Sequence, residues 1–291
     1  MRSLAGEGTD PAEWDVARPV RPSRVAGVTM AGFGVHTAAA IRVVPHPAVM
    51  LVLMFGANGA VLVDTAGRRP LGSVVTGPGF GSGGVTWMQG TSAECVQVRL
   101  SPVVAHAVLG ASPADLDGTV VALDDLWGRD VARIQEQLSE ICSWADRFAV
   151  TDALLARRCA TRSSVDPEVA WAWNRIVGDR GLVRIDWLAT EIGWSRKRLW
   201  SRFHSQLGLT PKRAAKLVRF DHAAHRLVAG EGAARVAAEG GYADQSHLHR
   251  DVTAFTGVTP ATVAGEPFLK VDDRARARHG GRPGSRPPAS A

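Results

Sequence analysis

Residues 194–226 read WSRKRLWSRFHSQLGLTPKRAAKLVRFDHAAHR. This stretch contains nine basic residues and one acidic residue, a net charge of +8, whereas the whole chain of 291 residues carries +6. The rest of the chain is therefore slightly acidic. A positive charge this concentrated favours a surface that binds a phosphate backbone, and the alternative is an ordinary solvated helical hairpin.

The basic stretch also has the periodicity of helices. Leu199, Phe203 and Leu207 recur at intervals of four residues, which predicts a helix with one buried stripe. A shorter apolar pattern at 185–192 precedes this helix and ends at Gly193. A short helix, a turn that contains glycine and a basic second helix together predict a helix-turn-helix motif.

A second motif of the same kind follows the first. Ala189 and Ala237 are 48 residues apart, and Leu199 and Leu248 are 49 apart, so the pattern repeats as a unit. One helix predicted over 211–229 bridges the two motifs, and its length is roughly 28 Å at 1.5 Å per residue. This length approaches the ~34 Å rise of one DNA turn, so both recognition helices can face the major groove on one side of a duplex.

At these residues the sequence resembles the DNA-binding domain of AraC/XylS-family transcriptional regulators. The first half of the resemblance lies between Leu188 and Arg213, and the second half comprises GYADQSHLHR at 241–250 with GVTP at 257–260. Together they cover roughly residues 169–264. The resemblance implies that the partner is double-stranded DNA and that the two recognition helices enter successive segments of the major groove.

Three positions depart from the family pattern. Ser201 stands where members often have an arginine that reaches a base, and Leu248 stands where phenylalanine is typical. Gly240 replaces a larger apolar residue, with an expected cost of about 1 kcal/mol in helix stability relative to Ala. These changes are compatible with the fold, but they bear on which bases the chain reads.

The candidate DNA-contacting side chains lie near the starts of the three predicted helices: Arg196, Lys197, Arg198, Trp200, Arg202, Lys212, Arg213, Gln245, Ser246, His247 and Arg250. Arginine, glutamine and histidine offer hydrogen-bonding groups that suit base edges or phosphates. Some of these residues also have another interpretation: Arg202 and Arg250 can clamp phosphate only, His247 can cap or pack, and Trp200 can belong to the core.

The first part of the chain has the texture of a β domain. Residues 25–110 contain short valine-rich runs separated by Gly, Pro and Asn, at 41–44, 49–55, 60–64, 72–76 and 94–100. They predict a small antiparallel sandwich or barrel, similar in texture to the cupin-like domains that some members of the family carry. We expect this domain to bind a small-molecule effector or to mediate homodimerisation.

The fold class expected is α+β, with a β-rich first domain and an all-α second domain. Residues 1–24 are expected to be a disordered leader, 25–110 the sensing domain, and 165–270 the DNA-binding domain. Residues 111–163 form a predicted helical segment that either dimerises or packs against the β domain. Residues 271–291 are rich in Arg, Gly, Pro and Ser and are expected to be a disordered basic tail.

Other classes of protein fit the sequence less well. The longest apolar run has eight residues, no secretory signal precedes it, and the three cysteines are scattered, so we expect a cytoplasmic protein without a membrane span. An alkyl-accepting repair enzyme needs clustered cysteines near the N-terminus, but the first is Cys95. A β-barrel hydrolase needs paired acids, and residues 25–110 contain only Asp64 and Glu94.

Cofactors and metal ions are likewise not expected. His36, His46, His106 and Glu94 are the candidate ligands of the β-rich region, but their spacing matches no helix or hairpin that brings them together. The glycine-rich stretch 77–84 lacks the Lys-Ser/Thr ending of a phosphate-binding loop and is interpreted as a flexible connection. We therefore predict no catalytic residue, no metal ligand set and no cofactor.

Overall fold

The computed structural model describes residues 14–35, 39–55, 61–63, 72–81, 86–90, 93–116, 118–160, 165–266 and 269. Strands dominate the first part of the chain and helices the second, which confirms the α+β class. Among the described residues, no helix combines the length and apolar character needed to cross a bilayer.

In the part of the chain that the structure describes, nine strands form two antiparallel sheets. They are β1 Trp14–Ala17, β2 Val28–Val35, β3 Ala39–Val43, β4 Val49–Phe55, β5 Val61–Val63, β6 Val74–Thr76, β7 Thr86–Gly90, β8 Ala93–Leu100 and β9 Val120–Ala122. The larger sheet has the order β1-β2-β8-β4-β6-β9, and the smaller has the order β3-β7-β5. The long central strands β4 and β8 pair over seven residues, with Val49 opposite Leu100.

Alternation of side chains builds the N-terminal core. In β4, Val49, Leu51 and Leu53 are fully buried at every second position, and in β8 Val96 and Val98 face the same core. This is the period of two that places alternate residues of a strand on one face of its sheet. The core is therefore organised by the two longest paired strands.

Helices cover this core. They are α1 Pro102–Leu109, α2 Leu123–Trp127, α3 Asp130–Glu140 and α4 Trp144–Ala160, with a 3₁₀ turn at Pro113–Leu116. Leu138 of α3 and Leu155 of α4 are fully buried in the same cluster as the strand residues. The described residues of the segment 111–163 pack against the β domain, and dimerisation through this segment stays a prediction.

Residues 14–24 differ from the expected disordered leader. β1 pairs with β2 from Trp14 opposite Val35 to Ala17 opposite Gly32. The carboxylate of Asp152 in α4 accepts hydrogen bonds from Ser23 Oγ at 2.5 Å and from Arg24 Nε at 2.6 Å. Pairing and hydrogen bonding thus tie this segment to the β domain; residues 1–13 and the predicted tail 271–291 lie outside the described residues.

Within residues 165–266, the C-terminal domain consists of seven helices: α5 Pro167–Gly178, α6 Ile185–Glu191, α7 Arg196–Leu207, α8 Pro211–Val228, α9 Ala233–Glu239, α10 Gln245–Thr256 and α11 Pro260–Ala264. The predicted stripe of Leu199, Phe203 and Leu207 is fully buried. Phe220 in α8 stacks on Phe255 in α10 with ring centroids 4.8 Å apart. Helix α8 therefore belongs to the core that both motifs share.

The two domains pack directly against each other. Val44, which follows β3, is only 2% exposed because it lies in the C-terminal core. At the end of α7, Gly208 has φ +75°, and a Cβ there would stand 2.6 Å from the carbonyl oxygen of Pro113. Only glycine allows the end of α7 to approach the 3₁₀ turn so closely.

Candidate nucleic-acid interface

The first helix-turn-helix consists of α6, a turn and α7. Gly193 adopts φ +68°, and the N–H of Trp194 donates to the carbonyl of Ala189 at 2.9 Å, which ends α6. Ser195 Oγ accepts from the N–H of Arg198 at 3.2 Å and begins α7. The predicted cap and turn of this motif are confirmed.

The second helix-turn-helix repeats this geometry with α9, a turn and α10. Gly241 adopts φ +70°, and the N–H of Tyr242 donates to the carbonyl of Ala237 at 3.1 Å. Asp244 Oδ1 accepts from the N–H of His247 at 2.7 Å and begins α10. The two motifs thus use the same glycine turn and the same kind of N-cap.

The expected cost of Gly240 is wrong. Gly240 is not inside a helix but follows the last residue of α9, and its N–H donates to the carbonyl of Val236 at 2.9 Å. A Cβ at this position would stand 2.6 Å from the same carbonyl oxygen and 3.2 Å from the ring of Tyr242. The glycine therefore fits the end of α9 in this chain, where a larger residue would require the turn to shift.

A buried carboxylate fixes the second recognition helix to the bridging helix. Asp251 in α10 is 4% exposed and pairs with Lys216 Nζ at 3.1 Å and Arg219 Nη2 at 2.9 Å, both from α8. The guanidinium of Arg219 also lies over the ring of Tyr242, 4.5 Å from its centroid. Two cations of the basic stretch are thus used inside the domain.

A third cation of the stretch, Arg226, forms ion pairs at the C-terminal end of α8. Arg226 binds Glu231 through Nε at 2.9 Å and Nη2 at 2.5 Å, and Nη2 also binds Glu239 at 2.5 Å. These contacts join the last turn of α8 to α9 and the segment before it. The outward-facing charge of residues 194–226 is therefore smaller than the sequence count.

The predicted contact residues of α7 are all exposed. Arg196 pairs with Asp186 of α6 at 3.0 Å on the surface, and the guanidinium of Arg198 lies 4.4 Å from the centroid of the Trp194 ring. Trp200 is 53% exposed, so the alternative that it belongs to the core is wrong. In the described part of the chain, Lys197 forms no ion pair.

Arg202 forms a bidentate ion pair with Asp166. Its Nε and Nη2 donate to the two carboxylate oxygens of Asp166, each at 2.8 Å. Asp166 stands at the N-cap position of α5, but its side chain makes no capping bond, and its backbone N–H donates to the side-chain oxygen of Gln206 at 2.9 Å. Any phosphate or base that binds Arg202 must therefore compete with this bidentate pair.

The other predicted residues lie in the first turn of α8 and the first two turns of α10. Lys212 and Arg213 are exposed just after Thr210, whose Oγ1 accepts from the N–H of Arg213 at 3.2 Å. In α10, Gln245, Ser246 and Arg250 are exposed, and His247 is half-buried. These exposed side chains can reach a phosphate or a base edge. DNA contact by these residues stays a prediction.

Three of the four metal ligands considered for the β-rich region are described by the structure, and these three are not brought together. His36 lies outside the described residues, and His106 is exposed on α1. Glu94 pairs with Arg147 of α4 at 3.2 Å. His46 instead contacts Asp221 of α8 across the domain interface, at 2.8 Å.

An effector pocket was expected in the β domain, and the structure contains a small apolar cavity of about 60 Å³ there, whose lining residues the sequence did not indicate. Its lining includes Val43, Val52, Met54, Val74 and Phe80, with His46 and Gln97 as polar groups. Ligand pockets for larger molecules usually measure 300–1,000 Å³. No local sequence signal reveals the lining of this cavity, because its walls come from three separate segments of the chain, 43–54, 72–80 and Gln97.

Comparison with known proteins agrees with the helical domain. A helix-turn-helix domain family matches residues 188–265, which contain both motifs. ToxT from Vibrio cholerae O395 has a similar structure, with 10% identity and a TM-score of 0.47 over 87% of this chain and 100% of that one. Unsaturated fatty acid bound ToxT from strain SCE256 gives 13% identity and 0.46 over 85% of this chain and 98% of that one.

A shorter structure also matches. The C-terminal domain of AraT, a response regulator from Geobacillus stearothermophilus, is 20% identical, with a TM-score of 0.33 over 35% of this chain and 88% of that one. A search of curated protein sequences found no match.

Proposed function

We propose that this chain, whose C-terminal domain is an AraC-type helix-turn-helix domain, is a cytoplasmic, sequence-specific regulator of transcription. The observation that carries the proposal is the repetition of one motif geometry on the two sides of α8. Each copy has a glycine turn followed by a capped recognition helix, at Ser195 and at Asp244. A structural hairpin has no need to present two such capped helices to solvent.

The length of the bridging helix sets the distance between the two recognition helices. Helix α8 has 18 residues and is therefore roughly 27 Å long. Two recognition helices at this separation suit two boxes about 10 base pairs apart on one face of a duplex. Arg198 is a candidate reader of one box, and Gln245 and Arg250 of the other, since Arg pairs with guanine and Gln with adenine.

For the β domain we propose an effector-sensing role. The cavity includes Val43 and Val44 in its wall, and Val44 is also part of the C-terminal core. A ligand that fills the cavity would act on a segment that contacts the DNA-binding domain, which is a direct route for coupling. Homodimerisation is the other role expected for this domain, and sedimentation of the full chain with and without DNA tests it.

The described residues favour a regulator over an enzyme. Burial raises the pKa of the Cys95 thiol to about 12, with a smaller contribution from Glu94. A cysteine acts as a nucleophile in its thiolate form, so Cys95 is a poor alkyl acceptor. Glu94 is engaged with Arg147, and Asp64 lies outside the described residues.

The test begins with selection of bound duplexes from a random pool by the full chain. We expect two boxes, and Arg250→Ala should change the preference in one box only, at a cost of roughly 1–3 kcal/mol if a base contact is lost. Arg198→Ala should change only the other box. Thr253 is exposed and lies further along α10. Thr253→Ala is therefore the matched control and should leave the preference in both boxes intact.

Spacing between the boxes provides the second part of the test. Five inserted base pairs turn one box to the opposite face of the duplex and should abolish most of the specific affinity, whereas ten restore the face. Specific binding that tolerates the five-base-pair insertion would contradict bipartite reading and leave the second motif a structural role.

A further inference from the structure

Three metal-ligating side chains meet where the β domain contacts the bridging helix. His46 comes from the segment after β3 and is buried, at 4% exposure. Asp221 and His225 are half-buried and lie four residues apart on α8, and therefore on one face of that helix. The group thus joins residues that are 175 positions apart in the chain.

The geometry of this cluster is compact. His46 Nδ1 donates to Asp221 Oδ1 at 2.8 Å, and His225 Nε2 lies 3.6 Å from the same oxygen. One ligand atom from each of the three residues lies within 4.8 Å of the others. The two imidazole rings are stacked, with centroids 6.1 Å apart and an angle of 24° between their planes.

We propose that His46, Asp221 and His225 form a binding site for a divalent transition metal ion that links the β domain to the DNA-binding domain. Ligands that lie about 2.0–2.2 Å from a tetrahedral ion stand roughly 3.3–3.5 Å apart, which falls between the shortest and longest separations of this cluster. A movement of less than about 1 Å by side chains therefore admits the ion. Two imidazoles and one carboxylate suit Zn²⁺ and its transition-metal neighbours rather than Ca²⁺ or Mg²⁺.

The surroundings hold the ligands in place before an ion binds. The N–H of Gly79 donates to the carbonyl of His46 at 2.8 Å, and the neighbouring Val44 is anchored in the C-terminal core. On the other side, the ligands of α8 belong to a regular helix of 18 residues. Because the backbone is fixed on both sides, binding requires little ordering of the chain.

The chemistry of the site balances without any further group. An incoming ion takes the place of the proton on His46 Nδ1, and the imidazole stays neutral because its proton moves to Nε2, the tautomer that a histidine ligand adopts. Three protein ligands leave a fourth position on the ion, as in zinc sites that keep a water or a small ligand. His46 also lines the apolar cavity, so this position is close to the space in which an effector is proposed to bind.

The test is titration of the full chain with Zn²⁺ after treatment with a chelator, followed by calorimetry. We expect one site per chain whose affinity falls by at least about 100-fold in His225→Ala and in Asp221→Asn, because loss of a direct ligand exceeds the 10–100-fold effect of losing an outer partner. Asp221→Asn keeps the hydrogen-bond acceptor for His46 and the shape of the side chain. His222→Ala is the matched control on α8 and should bind Zn²⁺ like the wild type.

Two further measurements separate this site from other binders. Zn²⁺ should raise the Tm of the wild type but not that of His46→Ala or His225→Ala, which establishes that the ion joins the two domains. Co²⁺ bound in the site should show the visible bands of nitrogen and oxygen ligation. Wild-type affinity in both Asp221→Asn and His225→Ala would overturn the proposal, as would a thiolate spectrum that disappears in Cys142→Ser.

Discussion

The buried carboxylate of Asp251 provides the sharpest test of how the two motifs are held together. Asp251→Asn keeps the volume of the side chain but removes the negative charge that Lys216 and Arg219 share. Removal of one partner from a buried ion pair costs about 3–5 kcal/mol, because the remaining charge is left uncompensated. Lys216 is 43% exposed and can turn to solvent, whereas Arg219 is 16% exposed, so we expect the lower end, about 3 kcal/mol.

This loss is measurable by thermal unfolding. For a domain of about 100 residues, each kcal/mol lowers Tm by roughly 4–8 °C, so the C-terminal transition should fall by roughly 12 °C or more. Arg250→Ala changes the exposed neighbour of Asp251 and should alter stability by less than about 0.5 kcal/mol. The assay is circular dichroism of the full chain, with urea unfolding at 25 °C to compare free energies.

A double-mutant cycle then assigns the effect. If the cost arises from the stranded charge of Arg219, then Arg219→Ala combined with Asp251→Asn should cost less than the sum of the two single changes. A wild-type midpoint for Asp251→Asn would refute the reasoning. It would mean that the ion pair offsets its own desolvation and that packing of residues such as Phe220 and Phe255 alone joins the motifs.

Three other outcomes are expected. In DNA titrations, the contribution of residues 194–226 to the slope of log K against log salt should be no steeper than about −5, and Lys197→Ala should reduce the magnitude of the slope by about one. Asp166→Ala should release Arg202 and strengthen DNA binding measured by fluorescence anisotropy, and unchanged affinity would mean that Arg202 is structural. Burial raises the pKa of Tyr242 to about 12 despite the opposing charge of Arg219, and Tyr242 is the only tyrosine, so absorbance at alkaline pH should report it alone. Because this pKa is above the ordinary value of 10, its contribution to stability should be complete below pH 10 and be lost between pH 10 and 12.

The helical domain could be predicted closely because its signals are local. Ser195 and Asp244 each accept a hydrogen bond from the N–H three residues later, as a cap at those positions requires. The turn glycines, Gly193 and Gly241, have positive φ. Such features depend on fewer than ten neighbouring residues, so the sequence contains the whole signal.

The β domain was predicted less completely because its strands depend on distant partners. Strand β2 was missed, since it contains Gly32 and Gly34, which are poor strand formers. Gly32 is needed because the ring of Trp144 lies over it, and a Cβ there would stand 2.4 Å from that ring. The glycine marks a close approach between sheet and helix, and only the folded chain shows which residue approaches.

The net charge of the basic stretch overestimates the positive charge that faces outward. Lys216, Arg219 and Arg226 lie on the faces of α8 that contact α9 and α10, where they bind carboxylates within the domain. Their partners, Asp251 among them, lie outside residues 194–226, so a count within that stretch could not include them. At most six cations of this stretch remain for DNA, and they cluster at the first turns of α7 and α8 and in the middle of α7. Helix N-termini already favour phosphate through their free N–H groups, so charge placed there contributes more to binding than the same charge along α8.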